Sequence, residues 1–277
     1  MPLKIVIDDI LSKFEQIKPL SKGGQKVVFT IIHPEYGHCV LKIGYFGSKS
    51  TLERIQREVS ILKEINSSYF PRQYAFEIVD TERYFILEEL LRGNTLDECF
   101  LQFSTQKDIA MLGVELIAGL RLLWSKRVVH RDLKPKNIII TTEGPRIIDL
   151  GIARLLDATS LTNTYAPFGP CTPDYASPEQ LENRKRDIDH RSDQFNLGII
   201  LTQLLLKGAH PFSPEVVGGG DSIPANIMSS IWAKEALRSY TTSSMFSLIQ
   251  KLLGHEPYQR FRQPSELQDS MIELAKE

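Results

Sequence analysis

Long apolar runs, a secretory signal and a cysteine framework are all missing from this 277-residue sequence. The longest apolar stretch, LGIILTQLLL at 197–206, is about half of the roughly 20 residues a membrane-spanning helix needs. The N-terminal MPLKIVIDDILSKFEQI puts Asp8 and Asp9 where a signal peptide would have its apolar core, so a cytoplasmic location is expected. Three cysteines, Cys39, Cys99 and Cys171, are odd in number and widely spaced, which speaks against disulfide staples and a thiolate metal cluster. Cys39 sits in a strand-like run and reads as a small buried hydrophobe, whereas Cys171 lies in a polar loop where a thiol could react. The formal net charge of −1 supplies no field of one sign, so neither nucleic acid nor an anionic membrane is expected as a partner. His33, His38, His190, His210 and His255 lack metal-ligand spacing and receive no role.

Glycine is also short in one telling place. LSKGGQKVVF, Leu20 to Phe29, has the look of a turn laid over nucleotide phosphates, yet such loops carry three spaced glycines. Only Gly23 falls on the register; Ser21 and Lys26 stand at the outer positions and Gly24 adds freedom next door. Around it, hydrophobic residues at 42% and charged residues at 24% are ordinary for a globular chain, and the length allows one large domain or two lobes. KVVFTII, HPEYG and HCVLKIG read as two β-strands about a turn. A helix is predicted over Thr51–Ile65, with Ile55, Val59, Leu62 and Ile65 on one face, and a strand over 83–91. KDIAMLGVELIAGLRLLW and DQFNLGIILTQLLL have helical periodicity. A β-rich part followed by an α-rich part predicts an α+β chain in two lobes.

VVHRDLKPKNIII, 128–140, carries the chemistry. A charged turn between strands would explain its polarity but not its order of residue types, which matches H-R-D-L-x-x-x-N. Twelve residues after Asn137 comes Asp149 in IIDLGIAR, and upstream HCVLKIG carries Lys42. Together these motifs resemble the eukaryotic-like (Hanks-type) serine/threonine protein kinase family over roughly residues 18 to 270. The resemblance implies a two-lobed kinase fold in one domain over 1–277, with an N-lobe over 1–88, a hinge over 89–93 and a C-lobe over 94–277.

The resemblance further implies transfer of the γ-phosphate of ATP to protein serine or threonine hydroxyls, with Mg2+ or Mn2+ as cofactor. Asp132 would be the base, Lys134 would sit near the transferred phosphate, and Asn137 and Asp149 would hold the metal. Lys42 would meet the ATP phosphates, aimed by Glu58 from the small-lobe helix. Leu20, Ser21, Gly23, Gly24, Val28, Val40, Leu87, Glu88, Leu90 and Ile139 would complete the nucleotide site. CTPDYASPEQ, 171–180, resembles the end of an activation segment and favours a protein substrate. There Thr172 would contact the catalytic aspartate and lysine, and Glu179 would pair with Arg260. Asp193 would cap the catalytic loop's backbone. Arg131 would receive a phosphate placed on Thr159, Ser160, Thr162 or Thr164. A nucleotide-binding pseudokinase or scaffold and a small-molecule phosphotransferase stay open as alternatives, and the oligomeric state is not specified.

Overall fold

Strand register decides which residues of the first sheet can face a ligand. In the computed structural model, residues 10–22, 26–150 and 171–277 are described, with the backbone alone at 21, 22, 26, 50, 54 and 58. Gly23 and Gly24, and the hydroxyls of Thr159, Ser160, Thr162 and Thr164, therefore lie outside the described residues, as do the side chains of Ser21 and Glu58. Described residues up to Arg92 form one compact unit and those from Gly93 onward another.

The first unit holds β1 (Glu15–Lys22), β2 (Lys26–His33), β3 (Gly37–Tyr45), β4 (Gln73–Ile78) and β5 (Arg83–Glu89). They form one antiparallel sheet in the order β1-β2-β3-β5-β4. Leu41 lies opposite Phe29 on one side and Leu87 on the other. With Ile10, Ile31, Cys39, Ile43 and Phe85 these residues make a buried apolar cluster on one face. Because side chains alternate with period 2, the other face receives Val28, Val40, Lys42, Ile86 and Glu88. Gly44 lies on that second face opposite Tyr84, and a Cβ there would stand 2.4 Å from the ring. Glycine is what lets the buried tyrosine fold across β3.

Helix α1 (Lys49–Ile65) starts two residues before its predicted position because Ser48 caps it, accepting the Thr51 N–H at 3.3 Å. Asn66 ends it in the left-handed region, with φ 35°. Of the predicted apolar face, Ile55 and Val59 are buried while Leu62 and Ile65 are half-buried. The strand predicted over 83–91 stops at Glu89.

The second unit contains β6 (Asn94–Thr95), α2 (Leu96–Cys99), α3 (Gln106–Ser125), β7 (Ile138–Thr141), β8 (Gly144–Ile147), α4 (Pro178–Leu181), α5 (His190–Leu205), α6 (Pro214–Val217), α7 (Ile223–Met228), α8 (Lys234–Tyr240), α9 (Ser243–Leu252) and α10 (Pro264–Lys276). Helix α5 is buried all round from Ser192 to Leu204 and forms the centre of this unit. Strands β6, β7 and β8 make a small antiparallel sheet, and β7 follows directly on Asn137 of the HRD motif's loop. Gly93 opens it: a Cβ there would lie 2.2 Å from the Ile140 carbonyl oxygen, so no larger residue permits this approach. Among the described residues no helix is long and apolar enough to cross a membrane.

Candidate active site

The catalytic-loop sequence is held from below by one carboxylate. Asp193, on the buried first turn of α5, accepts the His130 and Arg131 backbone N–H groups, each at 2.9 Å, and the Trp124 indole N–H at 2.8 Å. Arg131 has φ 66°, a strained left-handed conformation for a non-glycine residue, and Asp193 anchors it there. Full burial pushes the Asp193 carboxyl above its ordinary range, against the pull of His130 and these three donors. The His130 ring, itself fully buried, meets the Ile148 carbonyl at 3.1 Å through Nε2, and Ile148 donates its N–H to the Asn137 carbonyl at 2.9 Å. That clasp sets the backbone one residue before Asp149, which is exposed and has φ 53°.

Above this frame sits a compact cluster about Asp132. Oδ1 accepts the Thr172 N–H at 3.0 Å and the Thr172 hydroxyl at 2.7 Å. Oδ2 lies 3.0 Å from the Lys134 ammonium, which also donates to Thr172 Oγ1 at 2.7 Å. Asn137 donates Nδ2–H to the Asp132 backbone carbonyl at 2.8 Å and to Oδ2 at 3.3 Å. The carboxylate, a cation and an amide thus converge on a hydroxyl-bearing position. Such an arrangement can take a proton from an alcohol and balance negative charge beside it.

The end of the activation-segment stretch is fastened to the same loop. Gln180, buried in α4, donates Nε2–H to the Arg131 carbonyl at 2.7 Å and accepts both the Ser177 N–H and hydroxyl at 3.1 Å. Glu179 and Arg260 form a bidentate pair at 2.7 and 2.9 Å with both side chains 0% exposed, and Ser192 Oγ–H donates to Glu179 at 2.6 Å. Burial pushes the Glu179 carboxyl upward, but Arg260's hydrogen bonds and charge, with help from Ser192, outweigh it and hold the group below its ordinary value. Gln180 and Trp124 escaped the sequence reading. For Gln180 a signal existed, because S-P-E-Q is a capping box.

His210, to which the sequence assigned nothing, packs edge-on to Tyr175 with ring centroids 5.3 Å apart. Its Nδ1 accepts the Phe212 N–H at 3.3 Å. Burial lowers its pKa from 6.5 to about 4, and burial raises that of Tyr175, which donates to Gln203 at 2.9 Å, to about 12. A folded-state pKa below the ordinary one means the neutral ring is favoured. Stability from this site is full above pH 6.5 and is lost as pH falls toward about 4. That difference corresponds to up to about 3 kcal/mol. His210→Asn keeps an acceptor for Phe212 but cannot titrate, so urea midpoints between pH 7 and pH 4 should fall less steeply than in the parent. Equal slopes would show that His210 is not a source of the acid sensitivity.

In the first unit, Lys42 is buried and its Nζ lies 2.8 Å from Glu88 Oε2, with both side chains 9% exposed. The expected partner, Glu58, has its side chain outside the described residues. Val28 and Val40 share the face of Lys42. Leu87 does not: its side chain is packed in the cluster on the opposite face, so any part it plays in binding falls to its backbone. Leu20 is 59% exposed in β1, and Leu90 and Ile139 are half-buried. Cys39 and Cys99 are buried and Cys171 half-buried.

Against known proteins, the protein kinase domain family matches residues 14–272. The chain is 30% identical over 204 residues to the serine/threonine-protein kinase dst2 of Dictyostelium discoideum, covering 71% of this chain and 17% of that protein. It is 31% identical over 177 residues to the serine/threonine-protein kinase PknL of Mycobacterium bovis, covering 63% and 43%. The chain therefore spans less than half the length of these relatives. The fold matches the crystal structure of Rad53 residues 1–466 in complex with AMP-PNP at a TM-score of 0.71 and 22% identity, covering 94% of this chain and 65% of that one. With the family matched across nearly its whole length and its characteristic motifs in order, the chain belongs to the Hanks-type serine/threonine protein kinase family.

Proposed function

We propose that this chain transfers the γ-phosphoryl group of ATP to a serine or threonine hydroxyl of a protein. The observation that carries the reading is the cluster at Asp132, where a threonine hydroxyl sits 2.7 Å from both the carboxylate and the Lys134 ammonium. An acceptor hydroxyl in that position gives its proton to Asp132 while its oxygen bonds to the γ-phosphorus. The bond from that phosphorus to the β-γ bridging oxygen breaks, ADP leaves, and Lys134 offsets charge on the transferred group. Lys42 orients the phosphates from β3.

The donor chemistry suits a hard cation. Asn137 and Asp149 offer an amide and a carboxylate oxygen, and among the described residues no cluster of three His, Cys, Asp or Glu competes for a softer metal. Such a donor-poor protein site fits Mg2+ or Mn2+, which keeps waters and phosphate oxygens as its other ligands. When bound, the ion neutralises phosphate charge. Arg131 serves as the receiver for a phosphate that the chain places on its own segment at Thr159, Ser160, Thr162 or Thr164.

The test is transfer of labelled phosphate from ATP with magnesium to a generic basic protein, with the sites mapped by mass spectrometry. The chain should label serine or threonine in the substrate and in its own 159–164 stretch, and Lys42→Ala should abolish both signals. ATP binding without transfer to any protein would instead make the chain a scaffold, and transfer to small alcohols alone would replace the protein substrate.

A further inference from the structure

We infer that Glu88 is a positioning residue for Lys42, aiming its ammonium from within the sheet. This rests on the reading of Lys42 as the phosphate-orienting lysine. In the β3–β5 ladder Lys42 stands opposite Ile86 and Glu88 opposite Val40, so the 2.8 Å ion pair is diagonal. Diagonal neighbours on one face are within reach of long side chains. The two adjacent glutamates of β5 divide their work: the Glu89 carboxylate accepts the Arg72 N–H at 3.1 Å, while Glu88 turns to the face of Lys42.

Burial makes that choice consequential. Tyr84, Phe85, Ile86 and Leu87, which precede Glu88, are apolar and buried. A carboxylate in such a place requires a charged or hydrogen-bonding partner, and a buried lysine requires the same, so each fixes the other. A strand carboxylate is held by the ladder that holds the lysine, paired without a break from Cys39↔Glu89 to Tyr45↔Arg83. A helix carboxylate such as Glu58 aims the lysine only as well as its helix is placed. An ammonium carries three N–H donors, so one can serve Glu88 and a phosphate oxygen together.

The experiment measures equilibrium binding of a fluorescent ATP analogue, together with KM for ATP, KM for the protein substrate, and kcat. It uses the full chain and its Lys42→Ala, Glu58→Gln, Glu88→Gln and Glu88→Asp variants. Glu88→Gln should raise the analogue Kd and the ATP KM by about tenfold, the scale of one lost charge-assisted contact, with the protein-substrate KM unchanged. Glu88→Asp, which keeps the charge but shortens its reach, should fall between at about threefold. Glu58→Gln is measured beside them as the helix-side comparison. Should Glu88→Gln fail to fold, the Glu88→Asp shift carries the test, and its absence overturns the inference. Unchanged Kd and KM in Glu88→Gln, with both raised in Lys42→Ala, would remove Glu88 from the role and leave Lys42 in place. Unchanged values in Lys42→Ala would overturn the reading of the lysine itself, and Glu88 with it. Tighter binding in Glu88→Gln would make the pair a restraint and also overturn the inference.

Discussion

If Asp132 is the base of the proposed reaction, Asp132→Asn should lower kcat for phosphoryl transfer by about a hundredfold to ten-thousandfold, the usual contribution of a positioned general base. The substitution is close to isosteric, and an amide oxygen can still accept the Thr172 N–H and hydroxyl that Asp132 Oδ1 holds at 3.0 and 2.7 Å. What changes is Oδ2, which meets Lys134 at 3.0 Å and Asn137 Nδ2 at 3.3 Å. An NH2 group there cannot accept a proton and faces two donors. The loss should therefore appear in kcat, with the Kd of a fluorescent ATP analogue close to the parent's. A variant that still transfers phosphate at the parental rate would strike Asp132 from the role of base.

Glu179→Ala should cost about 3–5 kcal/mol of stability, because it leaves Arg260 as an uncompensated charge with its side chain wholly inside the fold. Arg260 bonds the carbonyls of Arg191, Gly254 and His255 as well as Glu179, so one pair ties α4, the first turn of α5 and the loop after α9 together. The double variant Glu179→Leu/Arg260→Met should recover much of the loss, since an apolar pair avoids the desolvation that the ions carry. Additive losses in urea unfolding would argue that the two side chains do not work as a unit. The sign with pH is set by the lowered pKa of Glu179. Its contribution is present above the ordinary value of 4.5 and is lost as pH falls through the depressed one.

The HRD stretch was legible because its functional groups are local: carboxylate, lysine and amide sit within six residues, and a turn of that length brings them together. Its support was legible only by likeness to a family, since Asp193 lies 63 residues beyond the His130 N–H it holds. The helix start at Lys49 was misjudged by two residues because a cap, and not periodicity, decides where the first turn begins.

Composition and periodicity, readable from the chain alone, pointed to an α+β fold, and motif order pointed to the protein kinase family and to candidate site residues. Register and burial were decided only in the folded molecule. A run such as RYFILEELL is apolar at too many consecutive positions for alternation to say which residues face which way. Only pairing with β3 sends Leu87 into one core and turns Glu88 toward Lys42. The same holds for Gln180 and Trp124, whose partners come from 49 and 69 residues away. A hydrogen-bond donor declares its type in the sequence. Its partner is set by the tertiary packing that leaves no water to take its place.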